Sequence, residues 1–176
     1  MPTTTEAVDV LSARTGFDKP RVRAVARALT DAGRLPSGAP AKSPVLNIGH
    51  VVDLLIGSAV DVPLRAVADT VVSYRELTPA GAPIDVLPAS LQYSAGNYLD
   101  ALADLAADGS DDVRRAKLEF VSNWKELAVH QPDGTISRFV EPGAIASNWQ
   151  HAGHRRSTAI NGAAFADAVS DLFAGA

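Results

Sequence analysis

The 176-residue chain has no cysteine, few aromatic residues and no long apolar run. The absence of cysteine excludes disulfide bonds and every metal site that depends on a thiolate. Hydrophobic residues make up 47% of the chain and aromatic residues only 6%. The hydrophobic share is enough for a packed core in one domain or two small ones. Because alanine supplies much of that share, we expect helices packed through small side chains rather than a large aromatic-rich sheet.

The beginning of the chain lacks the features of a targeting segment. Residues 1–10 have neither the basic part nor the long apolar part of a signal peptide, and no apolar run approaches the ~18 residues of a membrane-spanning helix. We therefore expect a soluble, cytoplasmic protein without a membrane partner.

The sequence signatures of common enzyme classes are also missing. The chain has no phosphate-binding glycine loop, no nucleophile elbow and no paired-carboxylate signature. His151 and His154 form an HxxH pair to which His130 could add a third histidine, but such spacings often arise by chance, and Gly153 favours a loop. Arg155 and Arg156 form a small basic cluster that could touch phosphate or lie in a solvated loop. We predict no enzymatic activity, no cofactor and no metal site.

Charge is distributed unevenly along the chain. The net charge is −4, but residues 1–45 hold seven basic and four acidic side chains, a net of +3, so that residues 46–176 carry −7. Because salt screens each charge beyond about 8–10 Å, a basic module can bind phosphate although the rest of the protein is acidic. The alternative is that these arginines only form a solvated helix face.

The basic segment begins with the signals of a short helix. Thr3 and Glu6 have the spacing of a capping box, which predicts a helix over residues 4–14. Gly16 is placed to end this helix, and Phe17 directly after it is suited to fill the core beneath a tight turn. These signals predict a helix followed by a turn.

A second helix follows the turn. Asp18 is a suitable N-cap, and Pro20 falls in the first turn, where a missing N–H costs nothing. The pattern i, i+3, i+4, i+7 then gives one buried stripe, made of Val22, Val25, Ala26 and Leu29. Arg23 and Arg27 share the outward face, and Gly33 ends the helix.

This layout resembles the winged helix-turn-helix domains of the MerR-like and excisionase-like families over residues 4–58. The matching positions are Ala13, Thr15, Gly16, Asp18, Val22, Arg23, Gly33, Leu35 and Pro36. By the resemblance, residues 37–43 would form the wing, residues 44–46 a strand, and Asn47 would cap a helix that closes the core. The chain departs from MerR-type proteins in its wing, which offers only Lys42 where theirs are richer in arginine.

The resemblance implies binding to double-stranded DNA. Arg21, Arg23 and Arg27 would lie along the recognition helix, because the planar guanidinium can donate two hydrogen bonds to a guanine edge or clamp a phosphate. Lys19 at the start of the helix and Lys42 in the wing would contact phosphates and so set the register.

The middle of the chain, residues 59–109, is predicted to be a helical assembly region. Asp61 would cap a helix that has Pro63 in its first turn, and the proline-rich residues 78–88 would form a loop. A further helix over residues 90–107 would then present a seam of apolar side chains, made of Leu91, Ala95, Tyr98, Leu102 and Leu105. The seam would pack either within one chain or across a subunit interface. If it is an interface, the residues expected to contact the second subunit are Leu91, Tyr98, Leu102 and Leu105.

Residues 110–176 are predicted to form a small α+β unit. After a polar break, the turn signal of residues 132–134 predicts a β-hairpin from residues 127–131 and 135–140. An amphipathic helix begins near Asn161 and buries Phe165, Val169, Leu172 and Phe173. The unit would cover the assembly region or contact a protein partner.

These expectations combine into a mainly α (α+β) protein with three parts, residues 1–58, 59–109 and 110–176. We predict a sequence-specific binder of double-stranded DNA, most simply a transcriptional regulator of phage or prophage type. It would act as a dimer, because one winged helix makes a small footprint on DNA. The alternative is a DNA-recognition subunit similar to the small terminase of phage packaging machines, which would form a ring. A third reading is a protein-interaction module.

Overall fold

The structure is a computed structural model that describes residues 1–38, 43–144 and 153–174. The helices are α1 (Thr4–Thr15), α2 (Lys19–Asp31), α3 (Ile48–Ala59), α4 (Val67–Arg75), α5 (Ala95–Ala107), α6 (Asp111–Arg115) and α7 (Gly162–Phe173). The strands are β1 (Thr78–Pro79), β2 (Lys117–Val121), β3 (Glu126–His130), β4 (Ile136–Val140) and β5 (Ser157–Asn161). The predicted mixed α+β class with a majority of helix is confirmed.

The strands form one antiparallel sheet in the order β1-β4-β3-β2-β5. The predicted hairpin is confirmed as β3 and β4, whose turn uses a positive φ at Gly134 and a hydrogen bond from the Thr135 amide to the Asp133 carboxylate of 2.9 Å. This Asx turn is a frequent device of tight connections. The sheet is larger than predicted, because β2 and β5 extend the hairpin on one side and β1 on the other.

One face of the sheet packs on the helices and forms the core. Its side chains alternate inward along the strands and are almost completely buried, as seen at Leu118, Phe120, Leu127, Val129, Phe139 and Ile160. The buried cluster continues through α1, α2, α3, α5 and α7, and α7 contacts both α1 and α5. The apolar core is therefore continuous across residues 58 and 109. The division of the chain into three parts at these residues stays a prediction.

Two predicted helix starts are wrong. After Pro63 the chain forms a 3₁₀ turn, Leu64–Ala66, and α4 begins only at Val67, so that Asp61 does not cap it and Leu64 is exposed. The next helix begins at Ala95 instead of residue 90, because the Ser94 hydroxyl caps it by accepting from the Asn97 amide at 3.3 Å.

Further elements, besides β1, were not predicted. The polar segment after α5 contains the single-turn helix α6, and β5 pairs with β2 along five residues. The expected strand over residues 44–46 is reduced to one bridge between Val45 and Thr3, next to a hydrogen bond of 2.7 Å from the Leu46 amide to the Pro2 carbonyl.

The predicted seam on α5 is largely used within the chain. The Tyr98 ring lies 5.9 Å from that of Tyr93, its hydroxyl accepts a 2.7 Å hydrogen bond from Gln131, and Leu102 is buried. Leu105 is 49% exposed, and the side chain of Leu91 lies outside the described part of the structure. Packing within one chain therefore accounts for Tyr98 and Leu102, and among the described seam residues Leu105 is the exposed one.

Within the described ranges, none of the helices has the length and apolar character needed to cross a membrane.

Candidate nucleic-acid interface

The turn between α1 and α2 is held by the local signals that the sequence predicts. The Thr3 hydroxyl accepts from the Glu6 amide at 3.3 Å, and the Glu6 carboxylate accepts from the Thr3 amide at 2.7 Å, which completes the capping box. Gly16 ends α1 with a φ of 76°, a conformation that costs other residues more than glycine. These caps fix where α2 starts.

The second helix is anchored at its first turn and along its inner face. The Asp18 carboxylate accepts from the Arg21 amide at 3.0 Å, and Pro20 occupies the first turn. The predicted stripe, Val22, Val25, Ala26 and Leu29, is buried without exception. The predicted orientation of α2 within the protein is confirmed, with its arginine-bearing side turned outward.

A glycine on α3 brings this helix close to α2. A Cβ atom at Gly57 would lie 2.8 Å from Val25 of α2 and 3.0 Å from Val67 of α4. Real Cβ atoms do not approach other heavy atoms to 2.8 Å, so a side chain here would push the helices apart. The three helices are consequently closely packed, and the inner side of α2 is held against α3 and α4.

A buried ion-pair network fixes the end of α2 to the same two helices. Asp53 of α3 has a side chain that is 4% exposed, and it binds Arg34 at 2.7 Å as well as Arg75 of α4. Arg75 in turn binds Asp100 of α5 at 2.9 Å and donates to the Gly49 carbonyl at 2.8 Å. A planar guanidinium suits this multiple role. The network, here called the Asp53 cluster, connects four parts of the chain.

The charges of the Asp53 cluster influence each other. Burial lowers the pKa of the Arg75 guanidinium, but its hydrogen bonds to Asp100 and Asp53 outweigh this and raise the pKa. Burial lowers the pKa of His50, against the opposing attraction of Asp53. The hydrogen bonds of the cluster therefore favour the charged form of Arg75, and burial favours the neutral form of His50.

The outward face of α2 presents two arginines that are not used inside the protein. Arg27 has a side chain that is 86% exposed, and it forms an ion pair of 3.9 Å with Asp31, whose side chain is 72% exposed. Arg23 is exposed, and within the described residues it has no hydrogen bond or ion pair. Such exposed pairs contribute little to stability. Both guanidinium groups are therefore available to a partner molecule.

The other predicted DNA-binding residues differ in their surroundings. Lys19 is partly exposed and forms an ion pair of 2.8 Å with Asp9 on α1. Arg21 is half-buried and donates a 2.7 Å hydrogen bond to the Val62 carbonyl, so that it connects α2 with the loop after α3. Lys42 lies outside the described residues. The structure thus brings Lys19, Arg23 and Arg27 onto one side of the molecule and turns Arg21 toward the protein.

One basic residue near this face was missed by sequence reasoning. Arg65, in the 3₁₀ turn before α4, is exposed and lines a shallow groove beside α2 together with Ala24, Arg27, Ala28, Asp31, Ala32, Leu64 and Ala68. A second groove, between α1 and α2, has Arg23 and Arg27 in its lining. Sequence pattern carries no signal for Arg65, because the fold alone brings it beside Arg27. We call Lys19, Arg23, Arg27 and Arg65 the α2 basic face.

Of the two arginines predicted as a small basic cluster, Arg155 belongs to the sheet, whereas the side chain of Arg156 is 61% exposed. Arg155 donates to Glu126 at 2.9 Å and to Glu119 at 3.2 Å, and the fully buried Glu126 also binds Arg138. His130 lies 2.9 Å from Glu119. Arg155 is therefore an internal partner of two carboxylates, because the chain returns along β5 and places it over β2 and β3; we call this group the Glu126 cluster.

The carboxylate of Glu119 is strongly stabilised as an anion. Burial raises the pKa of Glu119. Hydrogen bonds from Ser157, His130 and Arg155 and the charge of Arg155 outweigh this and lower the pKa to about 2. Hydrogen bonds to the charged form have this effect in general. Glu119 is consequently a structural anion at neutral pH rather than a proton donor.

Two histidines of the predicted trio lie in the described part of the structure, His130 and His154. His130 is engaged with Glu119, His154 is exposed, and His151 lies outside the described residues. Among the described side chains, no three histidines or carboxylates are placed to hold one metal ion.

Comparison of the chain with protein-family models, with curated proteins and with solved structures gives no match.

Proposed function

We propose that the protein is a sequence-specific binder of double-stranded DNA, a transcriptional regulator of phage or prophage type that acts as a dimer and inserts α2 into the major groove. The observation that carries the proposal is the pair Arg23 and Arg27, four residues apart on the exposed side of a helix that is fixed on its other side. A helix fits the major groove, where arginine can bind the guanine edge through two hydrogen bonds.

The contrast with the other arginines supports this role. Arg34, Arg75 and Arg155 each bind a carboxylate that is almost or fully buried. Arg23 and Arg27 have no comparable partner among the described residues, although Asp9 and Asp31 lie nearby. Because the helix that carries these guanidinium groups is already rigid, its backbone loses little conformational freedom on binding, which favours a defined complex.

The flanking residues fit a division of labour on DNA. Lys19 and Arg65 stand on either side of the two arginines and would contact phosphates, which position a protein without reading sequence. Lys42 is proposed for the same role. Arg21 would act indirectly, by holding α2 against the loop at Val62.

The acidic remainder of the protein makes the proposed binding selective. Residues 46–176 carry a net charge of −7, which repels DNA from surfaces other than the α2 basic face. The affinity should fall as salt rises, because each phosphate contact releases counterions.

The test begins with selection of bound duplexes from a random-sequence pool, followed by affinity measurements on the selected site. Replacing Arg23 and Arg27 together by alanine should weaken binding by at least about 30-fold, because each specific arginine–guanine pair contributes about 1–3 kcal/mol and about 1.4 kcal/mol corresponds to tenfold. The matched control is Arg114→Ala with Arg115→Ala, which removes the same charge from α6.

The control should retain an affinity within a few-fold of the original protein. Equal affinities of the original protein and the Arg23/Arg27 variant would contradict the role of α2. A ring of eight or more subunits in light scattering would replace the regulator by the packaging subunit.

A further inference from the structure

The outer edge of β5 is open. β5 is the last strand of the sheet, and it pairs with β2 on one side only. Ser157, Ala159 and Asn161 are exposed, and among the described residues no further strand pairs with the other side of β5. An open edge presents a row of backbone donors and acceptors that another strand can use.

The register identifies which backbone groups are free. Flanking hydrogen bonds run from the Gly162 amide to the Ala116 carbonyl at 2.8 Å and from the Ser122 amide to the Arg156 carbonyl at 2.9 Å. Because hydrogen-bonded pairs alternate in an antiparallel ladder, the even-numbered residues of β5 face β2. The N–H and C=O groups of Ser157 and Ala159 therefore point away from the sheet, and within the described residues none of them has a hydrogen-bond partner.

The opposite edge of the sheet is protected. β1 has only two residues, one of which is Pro79, and the outward carbonyl of Leu77 just before it accepts a 2.8 Å hydrogen bond from the Ala95 amide. Short edge strands and prolines are common ways to prevent edge pairing. β5 has neither device: its five residues include no proline and no charge, and three of them are Ser157, Thr158 and Ala159, whose short side chains permit close approach.

We propose that β5 pairs antiparallel with β5 of a second copy, so that the two sheets join into one continuous sheet of ten strands. The antiparallel arrangement lets the free groups of Ser157 and Ala159 on each copy bind those of the other across a two-fold axis. A strand edge of this kind is complementary to itself, which favours a second copy over an unrelated partner. The assembly ends at two copies, because the other edge of each sheet is closed.

This contact supplies the dimer that the proposed regulator requires, but its basis is the sheet and not the α2 basic face. It also differs from the predicted seam on α5, where Leu105 is the exposed position. Sedimentation without DNA therefore tests it separately from DNA binding. The variant with Arg23→Ala and Arg27→Ala should dimerise like the original protein.

The experiment compares two substitutions at one position by sedimentation equilibrium over a range of protein concentrations. Ala159→Pro removes the outward N–H, which β2 does not use, and should raise the dimer dissociation constant by at least about tenfold, because two hydrogen bonds are lost per dimer. Ala159→Val keeps the N–H and should retain the dimer. Circular dichroism checks that both variants are folded.

A monomeric original protein at all concentrations, or an Ala159→Pro variant that dimerises as strongly as the original, would overturn the proposal. A second measurement avoids dependence on the folding of the proline variant. In hydrogen exchange of the original protein, the amides of Ser157 and Ala159 should become more protected as protein concentration rises. Protection that is independent of concentration would count against the β5 contact, and Leu105→Asp tests the α5 seam in the same assay.

Discussion

The arginines of the α2 basic face and those of the two buried clusters have opposite surroundings. Arg75 and Arg155 each lie with only 18% of the side chain exposed and bind two carboxylates. Arg27 is 86% exposed and stands 3.9 Å from one exposed carboxylate. The same residue type therefore serves the fold in one region and is left for a partner in the other.

The difference shows how location decides what an ion pair contributes. Removing one member of a buried pair leaves an uncompensated charge, which is strongly destabilising, whereas exposed pairs contribute little. The clusters should consequently control folding, and the α2 basic face should control binding. The comparison would be wrong if a substitution in a cluster changed only binding, or a substitution on the α2 basic face changed only stability.

The largest effect is expected from Asp53→Ala. The change leaves Arg75 and Arg34 without their shared buried carboxylate and should lower the free energy of unfolding by about 3–5 kcal/mol. Urea unfolding followed by circular dichroism measures it. Asp112→Ala is the control, since Asp112 forms an ion pair of 2.7 Å with Arg115 but is 76% exposed.

The control should change stability by no more than about 0.5 kcal/mol. If Asp53→Ala had an equally small effect, water would reach the Asp53 cluster and the distinction between the two regions would fail.

The next largest effect concerns the stability of the protein at acidic pH. The pKa of Glu119 in the folded protein, about 2, lies below its ordinary value of 4.5, so its contribution to stability is present above pH 4.5 and is lost as the pH falls toward 2. The loss over this window should be on the order of 3 kcal/mol. Glu119→Gln should flatten the curve of unfolding free energy against pH there, while Glu141→Gln, which changes an exposed partner of Lys125, should not.

A curve for Glu119→Gln that falls as steeply as that of the original protein would show that other carboxylates cause the acid sensitivity.

The smallest effect is expected on DNA affinity, from a change at an exposed carboxylate of the α2 region. Asp31→Asn removes the carboxylate beside Arg27 and should raise DNA affinity a few-fold at low salt, with no measurable change of the melting temperature. Fluorescence anisotropy at two salt concentrations measures the affinity. Asp104→Asn on α5 is the matched control for net charge, and an equal gain from both would indicate a general charge effect rather than a contact at α2.

The sequence predicts the elements that local signals determine. The capping box of Thr3 and Glu6, the N-cap Asp18 and the Asx turn at Asp133 each act within three residues, and the elements they start or connect are found in the structure. β5 was missed because of its five residues only Ile160 is buried, so that no alternation of apolar and polar residues is visible.

The candidate site was predicted in the same uneven way. The outward orientation of Arg23 and Arg27 follows from helical spacing, which is local. The bond from Arg21 to Val62 and the position of Arg65 depend on how α2 packs against the chain about 40 residues later. The Asp53 and Glu126 clusters join partners 11 to 36 residues apart. Spacing patterns carry no information about such contacts.

The contact between α1 and α7 has a consequence for how the protein forms during synthesis. Arg14 on α1 binds Asp171 on α7 at 2.7 Å, and the two helices share the buried core. At about 5–20 residues per second, a ribosome needs roughly ten to thirty seconds to proceed from one helix to the other. During that interval α1 cannot make its contacts with α7, because α7 has not yet been synthesised. The helix pair proposed to read DNA should therefore reach its mature packing late in translation, after the last strand has joined the sheet.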